Sequence, residues 1–152
     1  MKAVFALCVC ALPFFCLGGT PVKKVVPDAP PQLLTYEVLS AWHKAGGLAS
    51  SQWPKRHELD LNGDGSKEVF LAVGGFNRGM SYALFTHTKT GWKLLCEQVE
   101  ASHFEPELRP QKHDGWHDFV TMHPSGRGGL WEYTSAWNGK AYEFKVSREI
   151  TE

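Results

Sequence analysis

The chain has 152 residues, with 16 basic and 16 acidic side chains and a formal charge of zero. That balance leaves no basic surplus for nucleic acid and no acidic tail, so composition indicates no charged polymer as partner. The length and an aromatic content of 12% supply core material for one domain.

Met1 and Lys2 open the chain, and residues 3–15 (AVFALCVCALPFF) follow almost unbroken apolar, ahead of the small residues Gly18 and Gly19. This is the layout of a secretory signal: a positive start, an apolar stretch and a small-residue cleavage site. The apolar run is too short to cross a bilayer comfortably. The expectation is a signal peptide over 1–18 and export to the periplasm or beyond, with no membrane attachment after cleavage. Two alternatives stay open, an uncleaved anchor and a lipid on Cys8, Cys10 or Cys16. The second is disfavoured because Leu7, Val9 and Phe15, all large, precede those cysteines. Cleavage after Gly18 leaves Cys96 as the single thiol, so no intrachain disulfide can staple the domain. Losing Lys2 takes the formal charge to about −1.

Residues 19–32 carry Pro21, Pro27, Pro30 and Pro31 beside Lys23 and Lys24, and read as an extended, solvated linker. Residues 33–152 then read as a single β-rich domain. Its one helix begins at Thr35, a plausible N-cap, with Glu37 in the first turn. Leu34, Val38 and Trp42 recur every four residues with Leu39 beside them, making an apolar face for packing, and Gly46-Gly47 end the helix. From Ser51 the pattern changes to strands. VFLAVGG (69–75) is a short apolar run closed by glycines, and MSYALFTHT (80–88) alternates, with Tyr82, Leu84 and Thr86 on one face. The turn Lys89-Thr90-Gly91 leads back into WKLLCEQV (92–99). Residues 100–115, with Pro106 and Pro110, read as a loop. WHDFVTMH (116–123) is a strand with Trp116, Val120 and Met122 facing one way and His117, Phe119, Thr121 and His123 the other. LWEYTSAW (130–137) and KAYEFKV (140–146) flank Asn138-Gly139, the strongest short hairpin signal. The predicted class is α+β: one N-terminal helix followed by about six strands in antiparallel hairpins.

The sharpest chemical feature is Asp60-Leu61-Asn62-Gly63-Asp64-Gly65-Ser66-Lys67-Glu68. Side-chain oxygens fall at the first, third and fifth positions, glycine at the sixth and a carboxylate at the ninth. Calcium takes six to eight oxygen ligands at flexible angles, and alternating acidic side chains on a curled loop converge on one point. An EF-hand is excluded, because its twelfth position needs a bidentate Glu and here holds Leu71. A strand, not a helix, follows the loop. The pattern resembles the calcium loops of FG-GAP and VCBS-type repeats. The resemblance implies a calcium loop between two antiparallel strands, with Asp60, Asn62, Asp64, Ser66 (through its carbonyl) and Glu68 as ligands. A single copy implies the loop without the repeated-blade propeller. Across most of the presumed mature chain, this loop, the Gly74–Gly79 segment, Gly115-Trp116-His117-Asp118 and the terminal Asn-Gly-Lys-x-Tyr are similar to small exported bacterial proteins. That wider likeness implies no activity. The alternative for the loop is a turn in which Asn and Asp side chains cap their own backbone with no metal.

The seven histidines invite zinc. His113 and His117 have Gly115 between them, and His117 and His123 lie on the order of 20 Å apart along a strand, so a shared ion is disfavoured. Arg78 and Arg127 sit in glycine-rich segments without a phosphate-binding context. Ser81 and Ser125 lack the surroundings of a serine nucleophile. Cys96, mid-strand, reads as a small hydrophobe.

The leading expectation is therefore a non-enzymatic exported domain whose calcium loop staples a β-hairpin, with an unknown protein or cell-envelope partner. One alternative is a periplasmic interaction module, such as an inhibitor of a cell-wall enzyme, anchored by Trp131, Tyr133 and Trp137. The other is a metal-dependent hydrolase using His117 and Asp118. The leader reading is tested by mass spectrometry of the exported protein, which is expected to start near Gly19. A mass that retains residues 3–15, or carries lipid on Cys16, would overturn it.

Overall fold

The computed structural model describes residues 33–48, 54–76, 79–102, 106–125 and 129–150. The leader, the linker, Arg78 and Arg127 lie outside the described residues. The described part is mostly antiparallel sheet with one short helix. α1 spans Tyr36–Lys44; the strands are β1 (Arg56–Leu59), β2 (Glu68–Phe76), β3 (Gly79–Thr88), β4 (Gly91–Ala101), β5 (Glu107–His113), β6 (Trp116–Pro124), β7 (Leu130–Trp137) and β8 (Tyr142–Ile150). They form two four-stranded meanders, β1-β2-β3-β4 and β5-β6-β7-β8.

The structure has eight strands where about six were expected. β1 (RHEL) is only four residues long with one apolar side chain, too short for its alternation to register in the sequence. β5 (ELRPQKH) falls in the polar 100–115 stretch, where Pro106 and Pro110 predict a loop. A proline cannot donate to a ladder and is confined to edges and bulges. β5 is an edge strand, and its pairing with β6 shifts between Leu108 and Lys112, so Pro110 falls in that irregular stretch. The turn after β5 is Asp114-Gly115, with φ of 50° and 85°, closing the pair His113 and Trp116. Two successive positive-φ residues are what a tight hairpin demands.

The Asn138-Gly139 hairpin exists, but its turn is wider than the two residues expected. The closing pair is Trp137 with Tyr142, and only Gly139 has positive φ, at 94°. The Asn138 side-chain oxygen accepts from the amides of Lys140 and Ala141, both at 2.9 Å, so a side-chain cap takes the place of a second positive φ.

β2 is buried on both faces, which is why it reads as a continuous apolar run. Val69 and Leu71 face α1, packing with Ala83 and Phe85 against Leu39 and Trp42. Phe70 and Ala72 face the second sheet, in a cluster with Leu61, Tyr82, Leu84, Phe119, Trp137 and Tyr142. The layers are therefore helix, first sheet, second sheet. Phe70 meets Phe119 edge-on across the sheets at 5.4 Å, and Trp116 stacks on Trp137 at 4.7 Å. Trp116 and Phe119, expected on opposite faces, thus serve the same cluster. In the second sheet Glu132 of β7 is buried between Arg109 of β5 and Arg148 of β8, the latter at 2.9 Å, which satisfies its charge.

The helix starts as expected, with the Thr35 hydroxyl accepting from the Val38 amide at 3.2 Å. His43 donates from Nε2 to the Ala72 carbonyl at 2.8 Å, and burial holds its pKa below the ordinary value. Behind the helix the Gly47 amide bonds the Trp42 carbonyl at 2.9 Å. A Cβ on Gly47 would lie 2.4 Å from the Trp42 ring. Gly47→Ala is therefore expected to displace Trp42 and to cost about 1–3 kcal/mol, read by urea unfolding. An unchanged midpoint would show that Trp42 can yield freely.

Candidate functional site

The Asp60–Glu68 loop joins β1 to β2, whose ladder ends at the Leu59–Glu68 pair. Its curl comes from the sequence itself. The Asp60 carboxylate accepts from Gly63 N at 2.7 Å and from Gly65 N at 3.0 Å. Asn62 Oδ1 accepts from Asp64 N at 2.9 Å, and Asp64 Oδ1 from Ser66 N at 2.7 Å. Asn62 Nδ2 donates to Asp64 Oδ2 at 3.0 Å. Gly63 and Gly65, with φ of 74° and 85°, take the left-handed corners that a side chain would strain. The bond from the Ser66 amide holds the Asp64 carboxyl below its usual range.

The five expected ligand residues divide into two groups. Asn62, Asp64 and Ser66 lie toward solvent with Asp60 at the base of the curl, whereas Glu68 is 1% exposed and turned inward. Its Oε2 accepts from Leu61 N and its Oε1 from the Thr86 hydroxyl, both at 2.8 Å. Burial pushes the Glu68 carboxyl above its usual range, against the pull of those hydrogen bonds. Among the described residues no three His, Cys, Asp or Glu side chains are grouped so that they could hold a metal ion.

Two partners of the loop were not anticipated. Leu61 is fully buried and packs with Phe70, Phe119, Trp137 and Tyr142, and its carbonyl accepts from His117 N on β6 at 2.7 Å. Lys112 of β5 brings its Nζ to 3.7 Å from where a Gly63 Cβ would stand, placing a cation beside the acidic curl. The signal for Leu61 was present: a large apolar residue in an otherwise polar loop has to be buried somewhere.

The histidines among the described residues do not converge. His117 Nδ1 donates to the Arg109 carbonyl at 2.7 Å, His123 Nε2 to the Glu100 carbonyl at 2.9 Å, and His113 Nε2 lies 3.4 Å from Asp118 Oδ1. Asp118 is thus placed with His113 and not with His117. Its Oδ1 is buried without a well-formed hydrogen bond, and the contact to His113 is too long to count as one.

A groove of about 370 Å³ lies between β4 and the second sheet, lined by residues that include Cys96, Val99, Glu100, Thr121, Tyr133 and Phe144, and by none from the loop. Cys96 is half-buried at its wall, where burial raises the thiol pKa. Trp137 is buried, Trp131 and Tyr133 are half-buried, and Phe144 is 60% exposed.

The chain matches no protein-family model, and no curated protein or solved structure matches it significantly.

Glu68 supplies the test of this site. Its folded-state pKa is raised, so the folded protein holds the proton more tightly than the unfolded chain. That contribution is complete below the ordinary value of 4.5 and is lost as pH rises through the raised value. Glu68→Gln, which can still bond Leu61 N and Thr86, is expected to abolish that slope in chelator and to keep stability within about 1 kcal/mol at neutral pH. Glu68→Ala strands the Leu61 amide and is expected to cost about 2 kcal/mol or more. Denaturant unfolding across pH measures both. Equal stability of the Ala variant and wild type would show that Glu68 does not hold the loop.

Proposed function

We propose that this chain is an exported, non-enzymatic domain that binds one calcium ion through residues 60–68, the ion fixing the connection between β1 and β2. The observation that carries the reading is the curl of the loop. Asp60 gathers the amides of Gly63 and Gly65, and Asn62 and Asp64 are left toward solvent. Carboxylate and amide oxygens that accept one amide keep a second lone pair. The Asp60, Asn62 and Asp64 oxygens and the Ser66 carbonyl supply four ligands. Glu68, turned inward, anchors the base of the loop through the Leu61 amide and the Thr86 hydroxyl, and water completes the shell. Outside the cell a dissociation constant on the order of 10⁻⁴ M suffices.

A second reading, an interaction module for a cell-envelope protein, draws support from the exposed Phe144 and Val146 of β8. Among its expected anchors, Trp137 is already committed to the core.

Calcium is expected to raise the melting temperature of the domain. At a hundredfold excess over the dissociation constant the gain is about 2.7 kcal/mol, or roughly 5–10 °C. Magnesium is expected to do much less, because it holds its waters in a tight octahedron. Asp64→Asn keeps an acceptor for Ser66 N and removes the charge together with the acceptor for Asn62 Nδ2, and is expected to abolish most of the rise. Identical melting of wild type in millimolar calcium and in chelator would reduce the loop to a self-capped turn.

A further inference from the structure

We infer that the Leu61 peptide couples the state of the loop to the second sheet, so that ordering or loosening residues 60–68 is felt in β6. Three attachments meet on this one residue. Its amide is held by Glu68 at the start of β2, its carbonyl by the His117 amide on β6, and its side chain by rings from both sheets. The residues on either side set its orientation. Asp60 is fixed by the Gly63 and Gly65 amides, and Asn62 by the Asp64 amide. A change of curl therefore turns the peptide units on either side of Leu61, and turning the Leu61–Asn62 unit releases His117. Lys112, whose Nζ lies beside Gly63, brings a cation to the loop from the same hairpin.

The sheets have a second backbone tie, Ser102 N to the Met122 carbonyl at 3.0 Å, on β6 residues remote from the loop. It serves as an internal reference. A local device at the loop changes His117 and leaves Ser102 alone; a general loss of stability changes both. The regulatory input, a hard divalent cation that orders the curl, rests on the calcium reading above. The coupling itself does not, because the loop can also be loosened by substitution.

The experiment is amide hydrogen exchange on wild type, Asp60→Ala and Asn62→Ala, each in chelator and in millimolar calcium, with calorimetry of calcium binding alongside. Two variants are used so that one poorly folded protein does not stop the test. Either variant is expected to speed exchange of the His117 amide roughly tenfold, with Ser102 unchanged. Calcium is expected to slow His117 in wild type and not in the variants. Faster exchange at Gly63 and Gly65 with His117 unmoved would overturn the coupling. So would equal acceleration at His117 and Ser102. No calorimetric heat and no effect of calcium would overturn the cation input alone, and the variants in chelator would still decide whether the Leu61 peptide joins loop to sheet.

Discussion

A carboxylate can leave water only where donors are waiting for it. Glu68, at the first position of β2, meets that constraint with one main-chain donor from the preceding loop and one hydroxyl from β3. Much of the rest follows. To present its amide to Glu68, Leu61 has to enter the molecule, and its side chain then joins the cluster between the sheets. Its carbonyl is left facing β6, where His117 takes it up. One buried acid thus fixes where the loop turns, how it is anchored, and where the second sheet meets the first.

The burial of β2 on both sides makes this geometry possible. The helix covers one face with Leu39 and Trp42, and the second sheet covers the other with Phe119 and its aromatic neighbours. The loop emerges from the interior of a three-layer arrangement and begins beside the core, not at a free rim. The acidic outer half is in water while the inner half is as buried as any strand residue.

How far this was legible in the sequence depends on range. The helix, its Thr35 cap and the six longer strands were readable because each is written in a local period or cap. β1 was not, since four residues with a single apolar side chain carry no period, and β5 was hidden by Pro106 and Pro110, of which Pro110 is tolerated because it lies in an irregular part of an edge ladder. The Asp114-Gly115 turn went unread for the same reason: a turn signal means little until a strand is recognised on both sides. At the loop, the spacing of oxygens was plain. The inward turn of Glu68 was not, because its partner Thr86 is eighteen residues away in sequence. His117 was weighed as a ligand with Asp118, whereas its backbone amide is the part that meets the loop.

Both sheets are sequential meanders, and among the described residues β8 ends the second one without a neighbour on its outer side. Such an edge is a template on which another chain can grow a strand. Here the acids Glu143 and Glu149 and the bases Lys145 and Arg148 are all exposed along it, beside Phe144 and Val146. An incoming identical strand would have to bury those charges or set opposite ones against them, while gaining only two apolar side chains. The edge thus resists lateral polymerisation through its own composition, in a protein that has no disulfide among its described residues to keep the sheet closed.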